Sequence, residues 1–306
     1  MPTYNDANYL PEAIESILKQ TYQDFEFIII NDRSTDNTAE ILTGYQQQDE
    51  RIIVLNNSKN LGVARSLNRG IKIARGEYIA RMDSDDVSLP QRFERQIVYL
   101  EAHPEIGVLG TQLVFIDESG ELAPEYKWQP PTSSSLTIWH MLYSTTLCHP
   151  SLMMRLSCLD TVDGYDADYA NEDAHLFMNL AFVTKLTNLD EVLIEYRIQL
   201  QHQKQKTSDW EQHTQRVSHE YVEKILNHTV ELKWIEILFN FIKYSNFKPQ
   251  TTLLEVFQLA SLLKEIFDKM KYHKLLDENG AKEVEQILIS QSQRLMLTAY
   301  KTIRYN

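Results

Sequence analysis

The feature that most constrains this chain is the acidic segment within GEYIARMDSDDVSLP, residues 76–90. An apolar, β-prone run leads directly into Asp83, Ser84, Asp85 and Asp86. Ligands of open α/β sheets bind at the carboxyl ends of the strands, and carboxylates crowded there repel one another unless a cation lies among them. Oxygen ligands suit a hard divalent ion. Alternatively, the same residues form only a turn that places favourable charge before a helix.

A helix is predicted to follow the acidic segment. Ser88 and Gln91 have the Ser-x-x-Gln spacing of a capping box, and Pro90 suits a first helical turn. We therefore expect a helix over residues 89–102 that ends near His103.

The composition of the 306 residues excludes several classes of protein. Thirty Lys and Arg residues stand against 43 Asp and Glu residues, and the net charge of −13 argues against nonspecific binding to nucleic acid. The two cysteines, Cys148 and Cys158, lack metal-type spacing and fit a reducing compartment. No run reaches the roughly 18 apolar residues of a membrane span, and no signal peptide is visible. We therefore expect a cytoplasmic protein.

The first hundred residues alternate between β-type and helical patterns. Phe25–Ile30, Ile52–Leu55 and Tyr78–Met82 are short apolar runs, which are typical of buried strands. Helical periodicity separates these runs, and this alternation predicts an α/β fold with right-handed βαβ units. The chain opens at Pro2–Tyr4, which resembles the end of a strand that runs into a loop, so we expect a truncated first β-strand.

The pattern divides the chain into a catalytic domain, residues 1–203, and a helical region, residues 204–306. Within the catalytic domain, residues 1–103 are expected to form the nucleotide-binding half. Residues 104–203 carry many polar loops, which suits an acceptor half. The C-terminal helices could pack on the catalytic domain, form a homo-oligomer or contact a membrane surface; the first needs no special assumption.

Polar residues are expected to converge at one edge of the sheet. The Pro2–Tyr4 loop, Asp32 and the acidic segment should all leave the carboxyl ends of parallel strands, and the next helix adds Arg65. A tyrosine ring can stack on a base, an aspartate can accept a ring N–H, and an arginine can bind phosphate. A metal held by Asp85 would bridge a pyrophosphate. The sequence therefore predicts a nucleotide-diphosphate site.

Seven motifs in a fixed order carry a resemblance to a known family. Over about residues 1–200 the chain resembles family 2 glycosyltransferases of the GT-A fold, of the inverting, non-processive bacterial type. The resemblance implies a Rossmann-like, mostly parallel sheet flanked by helices. The motifs are PTYNDANYLPEAIESILKQTYQDFEFIIINDRSTDNT, NLGVARSLNRGI, GEYIARMDSDDVSLPQRFERQ, HPSLMMR, GYD, NEDAHLFMNLA and EVLIEYR.

The resemblance implies a binding site for the base of a nucleotide-sugar. Thr3 and Tyr4 would line the nucleobase pocket, and Pro2 belongs to the same loop. Asp32 would accept a hydrogen bond from uracil if the donor is a UDP-sugar. Arg65 would lie beside the base or the phosphates.

The resemblance also implies roles for the residues of the acidic segment. Asp83 and Ser84 would contact the ribose region, and Asp85 would be the direct ligand of Mn²⁺ or Mg²⁺. Asp86 would either cap the next helix or touch the ligand.

Three residues of the second half would serve the acceptor. By resemblance, Asp173 would be the catalytic base and Glu172 would help to place the acceptor. Simple charge at a helix N-terminus is the alternative for this pair. His149 could face the acceptor or satisfy a hydrogen bond in the core. One base on the face opposite the leaving group implies a single displacement and inversion of the anomeric carbon.

Three departures from the family pattern concern the first strand, the metal and processivity. The family's first strand normally precedes Pro2, and here that strand is missing. Its loss would affect the stability of the sheet and the affinity for the donor. Many members place a histidine that can reach the metal after the late Tyr-Arg pair, whereas Ile198 and Gln199 follow here and His202 comes later. The Gln-x-x-Arg-Trp motif of processive synthases is absent, which favours transfer of single sugars.

The sequence predicts a metal-dependent, inverting glycosyltransferase. It would move a sugar from a nucleotide-sugar, expected to be a UDP-sugar, to the hydroxyl of a glycan or lipid-linked acceptor. By family analogy, the pathway is synthesis of a bacterial surface polysaccharide at the inner face of the membrane. The alternatives are a nucleotidyltransferase and an inactive nucleotide-binding scaffold whose C-terminal helices mediate assembly.

Overall fold

The computed structural model describes residues 1–199, 208–244 and 253–305. The chain forms two compact units. The first comprises Met1–Thr132 and Leu147–Thr207, and the second comprises Ser133–Thr146 and Ser208–Asn306. The boundary expected between residues 203 and 204, and His202 beside it, lie outside the described residues, so the predicted domain division stays a prediction.

A parallel sheet and its helices form the start of the first unit. Its strands pair in the order β1-β2-β3, with Pro2 beside Ile30 and Phe27 beside Ile52. This confirms the βαβ pattern, since helices connect the parallel strands. The elements are β1 (Pro2–Thr3), α1 (Leu10–Leu18), β2 (Phe27–Asn31), α2 (Thr38–Gln48), β3 (Ile52–Asn56) and α3 (Val63–Ile71).

A mixed five-stranded sheet of order β4-β7-β6-β8-β5 completes the first unit. β6 and β8 run parallel, whereas β7 pairs antiparallel with both β4 and β6, and β5 pairs antiparallel with β8. A short 3₁₀ turn covers His149–Ser151, and α5 belongs to the second unit. The elements are β4 (Tyr78–Ala80), β5 (Val87–Ser88), α4 (Arg92–Ala102), β6 (Ile106–Ile116), α5 (Ser134–His140), β7 (Met153–Arg155), α6 (Leu156–Thr161), α7 (Glu172–Leu180) and β8 (Lys185–Arg197).

The strand before the acidic segment differs from the prediction. We expected it to run parallel to its neighbour, but β4 pairs antiparallel with β7, with Ile79 beside Met154. Pairing direction depends on which distant strand lies alongside, and an apolar run of three to five residues carries no such information. The carboxylates still leave the end of a strand, but this strand belongs to the mixed sheet.

The predicted capping box is wrong. α4 begins at Arg92, and Gln91 precedes it without a side-chain cap hydrogen bond. Ser88 lies in β5, where Gln20 Nε2 donates to its hydroxyl at 3.1 Å. The Pro90 carbonyl accepts from the backbone of Thr21 at 2.8 Å, so tertiary contacts hold this segment extended.

The core of the first unit lies between the helices and the sheets. Leu10 and Ile14 of α1, Ile29 of β2, Leu109 of β6 and Ile194 of β8 are fully buried in one cluster. Leu176, Phe177 and Leu180 of α7 are buried as well, and so is Ala181 directly after the helix. This packing fixes the ends of β4, β8 and α7, which carry the candidate site.

A tight turn after α6 is hydrogen-bonded to α3. The Asn68 side chain in α3 donates to the Tyr165 carbonyl at 2.7 Å and accepts from the Tyr165 N–H at 2.9 Å. Gly164 has φ +69°, and a Cβ there would lie 2.6 Å from Asn68 Oδ1. Both the backbone conformation and the close approach therefore require glycine at this turn.

Gly164→Ala is expected to lower the free energy of unfolding by roughly 1–3 kcal/mol, because it adds strain and displaces Asn68. Urea unfolding followed by circular dichroism measures the loss. Gly44→Ala is the matched control: Gly44 lies inside α2 with nothing within 4 Å of the added Cβ, so stability should stay or rise by up to about 1 kcal/mol. Wild-type stability in Gly164→Ala would contradict the requirement for glycine at this turn.

The second unit is helical. Trp139 of α5 is fully buried and meets the edge of Phe267, with ring centroids 6.5 Å apart. None of the described helices combines the length and apolar character needed to cross a bilayer. The remaining helices are α8 (Ser208–Leu226), α9 (Leu232–Tyr244), α10 (Leu253–Tyr272) and α11 (Glu278–Tyr305).

Candidate active site

The acidic segment between β4 and β5 brings three carboxylates together. Oxygens of Asp83, Asp85 and Asp86 lie within 4.8 Å of one another. Asp86 is 1% exposed, and its Oδ2 has no hydrogen-bond partner among the described residues. A buried oxygen without a partner is costly unless something binds it. The donor set therefore fits Mn²⁺ or Mg²⁺, which prefer oxygen ligands.

The electrostatics of the cluster also favour a divalent cation. Burial, and then the charges of Asp83 and Asp6, raise the pKa of Asp85 to about 6. Burial, and then Asp85 and Asp83, raise the pKa of Asp86 well above its usual range. Neighbouring carboxylates disfavour each other's ionised form, and a divalent cation would remove this repulsion.

The end of β8 holds the acidic segment in place. The backbone N–H of Arg197 donates to Asp86 Oδ1, and its Nε donates to the Asp85 carbonyl, both at 2.8 Å. Gln199 Nε2 donates to Asp85 Oδ2 at 2.7 Å. The local sequence marks Gln199 only as the residue that stands in place of a histidine, and nothing in it indicates the contact with the candidate metal ligand.

The residues predicted for the nucleobase lie at the end of β1 and β2. Pro2 and Thr3 are buried in β1, whereas Tyr4 is 47% exposed. Thr3 Oγ1 is buried without a hydrogen-bond partner among the described residues. Ser84 donates from its hydroxyl to Asp6, which follows this loop, so the first loop and the acidic segment meet.

Asp32 is buried and already accepts three hydrogen bonds from the chain. Asn57 Nδ2 donates to Oδ1 at 2.6 Å, the Leu61 N–H donates to Oδ1 at 2.7 Å, and the Gly62 N–H donates to Oδ2 at 2.8 Å. Asp32 therefore fixes the loop that leads into α3. Arg65 projects from that helix, half exposed, with its guanidinium 3.8 Å from Asp168.

Glu172 and Asp173 lie in the first turn of α7 and are half-buried. Burial, and next the charge of Asp173, raise the pKa of Glu172 to about 7. Burial also raises the pKa of Asp173, while the Ala174 N–H, which donates to Oδ1 at 2.7 Å, and the charge of Arg81 lower it. The pKa of each carboxyl therefore lies above its ordinary value, which suits a group that exchanges a proton with a hydroxyl.

His149 is buried beside the turn that precedes α7. Its Nε2 lies 2.7 Å from the Tyr165 hydroxyl, and its ring meets the edge of Phe177 with centroids 6.0 Å apart. Burial, and then the charge of Arg81, lower the pKa of His149 well below its usual range. These contacts favour the core hydrogen bond that the sequence analysis gave as one of two alternatives.

Arg81 and Tyr165 also border a cavity of about 660 Å³ that is partly open to solvent and whose walls include Met1, Ile28 and Tyr78. Asp83, Asp85 and Asp86 do not line this cavity. It lies between β2 and β4, so we assign it no part in donor binding. Arg81 was not among the predicted site residues, although an arginine near the end of an apolar run, shortly before an acidic segment, is a signal in the sequence.

Comparisons with known proteins agree with this architecture. The family described as Glycosyl transferase family 2 matches residues 1–162. An uncharacterised glycosyltransferase of Methanocaldococcus jannaschii is 37% identical over 201 residues, 65% of this chain and 69% of that protein. The O-antigen biosynthesis glycosyltransferase WbnJ of Escherichia coli is 32% identical over 203 residues, 65% of this chain and 78% of that protein.

Two solved structures share the fold. Staphylococcus aureus TarS, crystallised with UDP-GlcNAc, aligns with a TM-score of 0.62 at 20% identity, over 100% of this chain and 90% of that chain. The mannosyltransferase PcManGT of Pyrobaculum calidifontis, in complex with GDP-Man and Mn²⁺, aligns with a TM-score of 0.59 at 13% identity, over 99% of this chain and 85% of that chain. With the GT-A fold and a family match over more than half of its length, the chain belongs to glycosyl transferase family 2 and is a glycosyltransferase.

Proposed function

We propose that the chain is a metal-dependent, inverting glycosyltransferase that uses a UDP-sugar donor. The observation that carries the proposal is the cluster of Asp83, Asp85 and Asp86, in which a buried oxygen of Asp86 has no partner among the described residues. Such a cluster suits the diphosphate of a nucleotide-sugar only with a bridging cation, because carboxylates alone would repel it.

The carboxylates of the acidic segment would hold Mn²⁺ or Mg²⁺, with Asp85 as the direct ligand. When bound, the ion acts as a Lewis acid that stabilises the charge of the leaving diphosphate. Arg197 at the end of β8, and Gln199 just after it, donate hydrogen bonds to Asp85, so the ligand is already oriented. The complex of PcManGT with GDP-Man contains Mn²⁺, which supports the proposal that this chain also uses a divalent ion.

The donor is proposed to be a UDP-sugar, with its base between the β1 loop and α3. The UDP-GlcNAc complex of TarS supports this choice. Thr3 offers a buried hydroxyl without a partner among the described residues, and the exposed ring of Tyr4 can stack on a base. Asp32 would contact uracil by exchanging one of its present hydrogen bonds, and Arg65 would approach the base or the phosphates.

Asp173 is proposed as the base. Its carboxylate would accept the proton of the acceptor hydroxyl while that oxygen attacks the anomeric carbon. The site then performs a single displacement, which inverts the anomeric configuration. Glu172, with a pKa of about 7, would hold the acceptor by a hydrogen bond.

The acceptor is proposed to be a hydroxyl of a glycan or of a lipid-linked glycan in bacterial surface polysaccharide synthesis, at the inner face of the membrane. The relative WbnJ, described as an O-antigen biosynthesis glycosyltransferase, supports this pathway class. Single-sugar transfer fits the absence of the processive Gln-x-x-Arg-Trp motif from the sequence.

Calorimetric titration tests the donor. UDP is expected to bind in the presence of Mn²⁺, more tightly than GDP or dTDP, and to bind weakly without the ion. A panel of UDP-sugars then follows, with proton NMR of the product, whose anomeric configuration should be opposite to that of the donor. Tighter binding of GDP or dTDP would overturn the UDP assignment, and retention of configuration would overturn the single displacement.

A further inference from the structure

Arg33, two residues after β2, has a left-handed backbone although it is not glycine. Its φ is +66°, and Asn5 on the neighbouring loop has a φ of +57°. This conformation costs free energy for any residue with a Cβ, and it persists only where the surrounding structure enforces it. Such strain is concentrated at binding sites.

Hydrogen bonds between two loops enforce this conformation. The β1 loop follows β1, and the β2 loop follows β2. The Asn5 N–H donates to Ser34 Oγ at 3.1 Å, and the Thr35 N–H donates to Asn5 Oδ1 at 2.7 Å. The Ala7 N–H donates to Asp36 Oδ2 at 3.0 Å. The two loops are therefore fixed to each other on either side of Arg33.

The register of the two strands places Arg33 beside the residues proposed to bind the base. Thr3 lies opposite Asn31, and the Thr3 carbonyl accepts from the Asp32 N–H at 2.9 Å, so the pairing continues past the strand ends. Tyr4, which is exposed, is then the neighbour of Asp32. The side chain of Arg33 therefore starts one residue from Asp32 and about one strand spacing, roughly 4.8 Å, from the β1 loop.

The Arg33 guanidinium has no protein partner in the described ranges. Its side chain is exposed and forms no hydrogen bond or ion pair there. Residues 1–50 contain ten Asp and Glu residues and one other cation, Lys19. The two nearest carboxylates in the sequence already have partners: Asp32 accepts three hydrogen bonds from the loop that leads into α3, and Asp36 accepts from two backbone N–H groups. The guanidinium can therefore bind a ligand without breaking an ion pair.

We propose that Arg33 binds the base of the nucleotide donor, by donating hydrogen bonds from its guanidinium to a carbonyl oxygen of the base. This inference rests on the donor site proposed above. Uracil carries two carbonyl acceptors, and a guanidinium presents five N–H donors in one plane. The diphosphate is assigned to the acidic segment and its cation, whereas the base is assigned to the loop beside Arg33. The strained backbone then holds the guanidinium at the edge of the base site.

The test compares Arg33→Gly and Arg33→Asn with the wild type. Calorimetry measures the Kd for UDP with Mn²⁺, and NMR titration measures the Kd for uridine, which has no phosphate. Both variants should bind UDP and uridine about 10-fold more weakly, because a hydrogen bond from a charged donor is lost. The melting temperature should stay or rise by up to about 2 °C, because glycine and asparagine accept a left-handed φ more readily. The KM for the donor should rise with little change in kcat.

Lys274→Gly is the matched control. Lys274 is also an exposed cation with a left-handed backbone, at φ +57°, but it lies in the second unit. This variant relieves the same kind of strain and removes the same charge. It should keep or raise the melting temperature and bind UDP and uridine as the wild type does.

Wild-type affinity in both Arg33 variants would overturn the inference. Weaker binding in Arg33→Gly alone would also overturn it, because a loosened loop would then be the cause. Weaker binding of UDP with unchanged binding of uridine would place the guanidinium on the phosphates instead of the base. A wild type that binds no nucleotide would overturn the proposed function, and the inference with it. If the wild type prefers GDP or dTDP, only the UDP assignment fails, and the variants are compared with that nucleotide and its nucleoside.

Discussion

Asp173→Asn is expected to lower kcat for sugar transfer by about 10²–10⁴-fold while UDP still binds. The substitution removes the proton acceptor but keeps the size of the side chain and an oxygen for the Ala174 N–H, which now donates at 2.7 Å. α7 should therefore start as before. Release of UDP in the presence of acceptor measures kcat, and calorimetry measures the Kd for UDP.

Two variants make this result interpretable. Asp160→Asn makes the same chemical change at an exposed position in α6 and should match the wild type. Glu172→Gln should raise the KM for the acceptor more than it lowers kcat, because we assign Glu172 to holding the acceptor. If Asp173→Asn kept the wild-type kcat and Glu172→Gln lost most of it, the catalytic base would be Glu172 instead of Asp173.

Below neutral pH, the wild-type rate should fall along a limb that lies above the ordinary range of an aspartate. Burial raises the pKa of Asp173, and a base whose pKa is raised is protonated, and therefore inactive, at higher pH than usual. The pH dependence of kcat, measured by release of UDP, checks this limb.

Local patterns were enough to predict much of the fold. The apolar run at β2 and the alternation of strands and helices lie within short windows, and each window carries its own signal. The start of α7 at Glu172 was also predictable, because acidic residues precede apolar residues at helical spacing. The clustering of Asp83, Asp85 and Asp86 follows from their adjacency in the chain.

Contacts between distant segments could not be predicted in this way. Gln199 lies 114 residues from Asp85, and Asn68 lies 97 residues from Tyr165, so no local window contains either hydrogen-bonded pair. The capping box failed for the same reason, because Gln20, 68 residues away, binds Ser88. Residues that position the candidate site are thus harder to find than the residues that form it.

Asp85→Asn is expected to abolish the effect of Mn²⁺ on UDP binding. Altering a residue that only supports a metal ligand typically costs roughly 10–100-fold in metal affinity, and removing the ligand itself should cost more. Asparagine retains the shape and an oxygen that Gln199 can still contact, so the acidic segment should keep its fold. Calorimetry with UDP and Mn²⁺, and electron paramagnetic resonance of Mn²⁺ alone, measure the two affinities.

Asp24→Asn, at an exposed position, is the matched control and should bind Mn²⁺ and UDP as the wild type does. Retained Mn²⁺-dependent UDP binding in Asp85→Asn would contradict the assignment of Asp85 as the direct ligand. Asp83 and Asp86 would then be the next ligands to replace.

Without metal, the same substitution should stabilise the protein at pH 8. The folded-state pKa of Asp85 is raised from 3.8 to about 6, so its ionisation opposes folding above that pH, and asparagine removes the cost. We expect a gain of about 1 kcal/mol, because Asp85 is only half-buried. The gain should shrink as the pH falls through about 6, where Asp85 takes up a proton in the folded state, and vanish below about 4. We therefore expect Asp85→Asn to be more stable than the wild type without Mn²⁺, and to gain no stability when Mn²⁺ is added. This result would show that repulsion among these carboxylates destabilises the metal-free protein and that a bound cation relieves it.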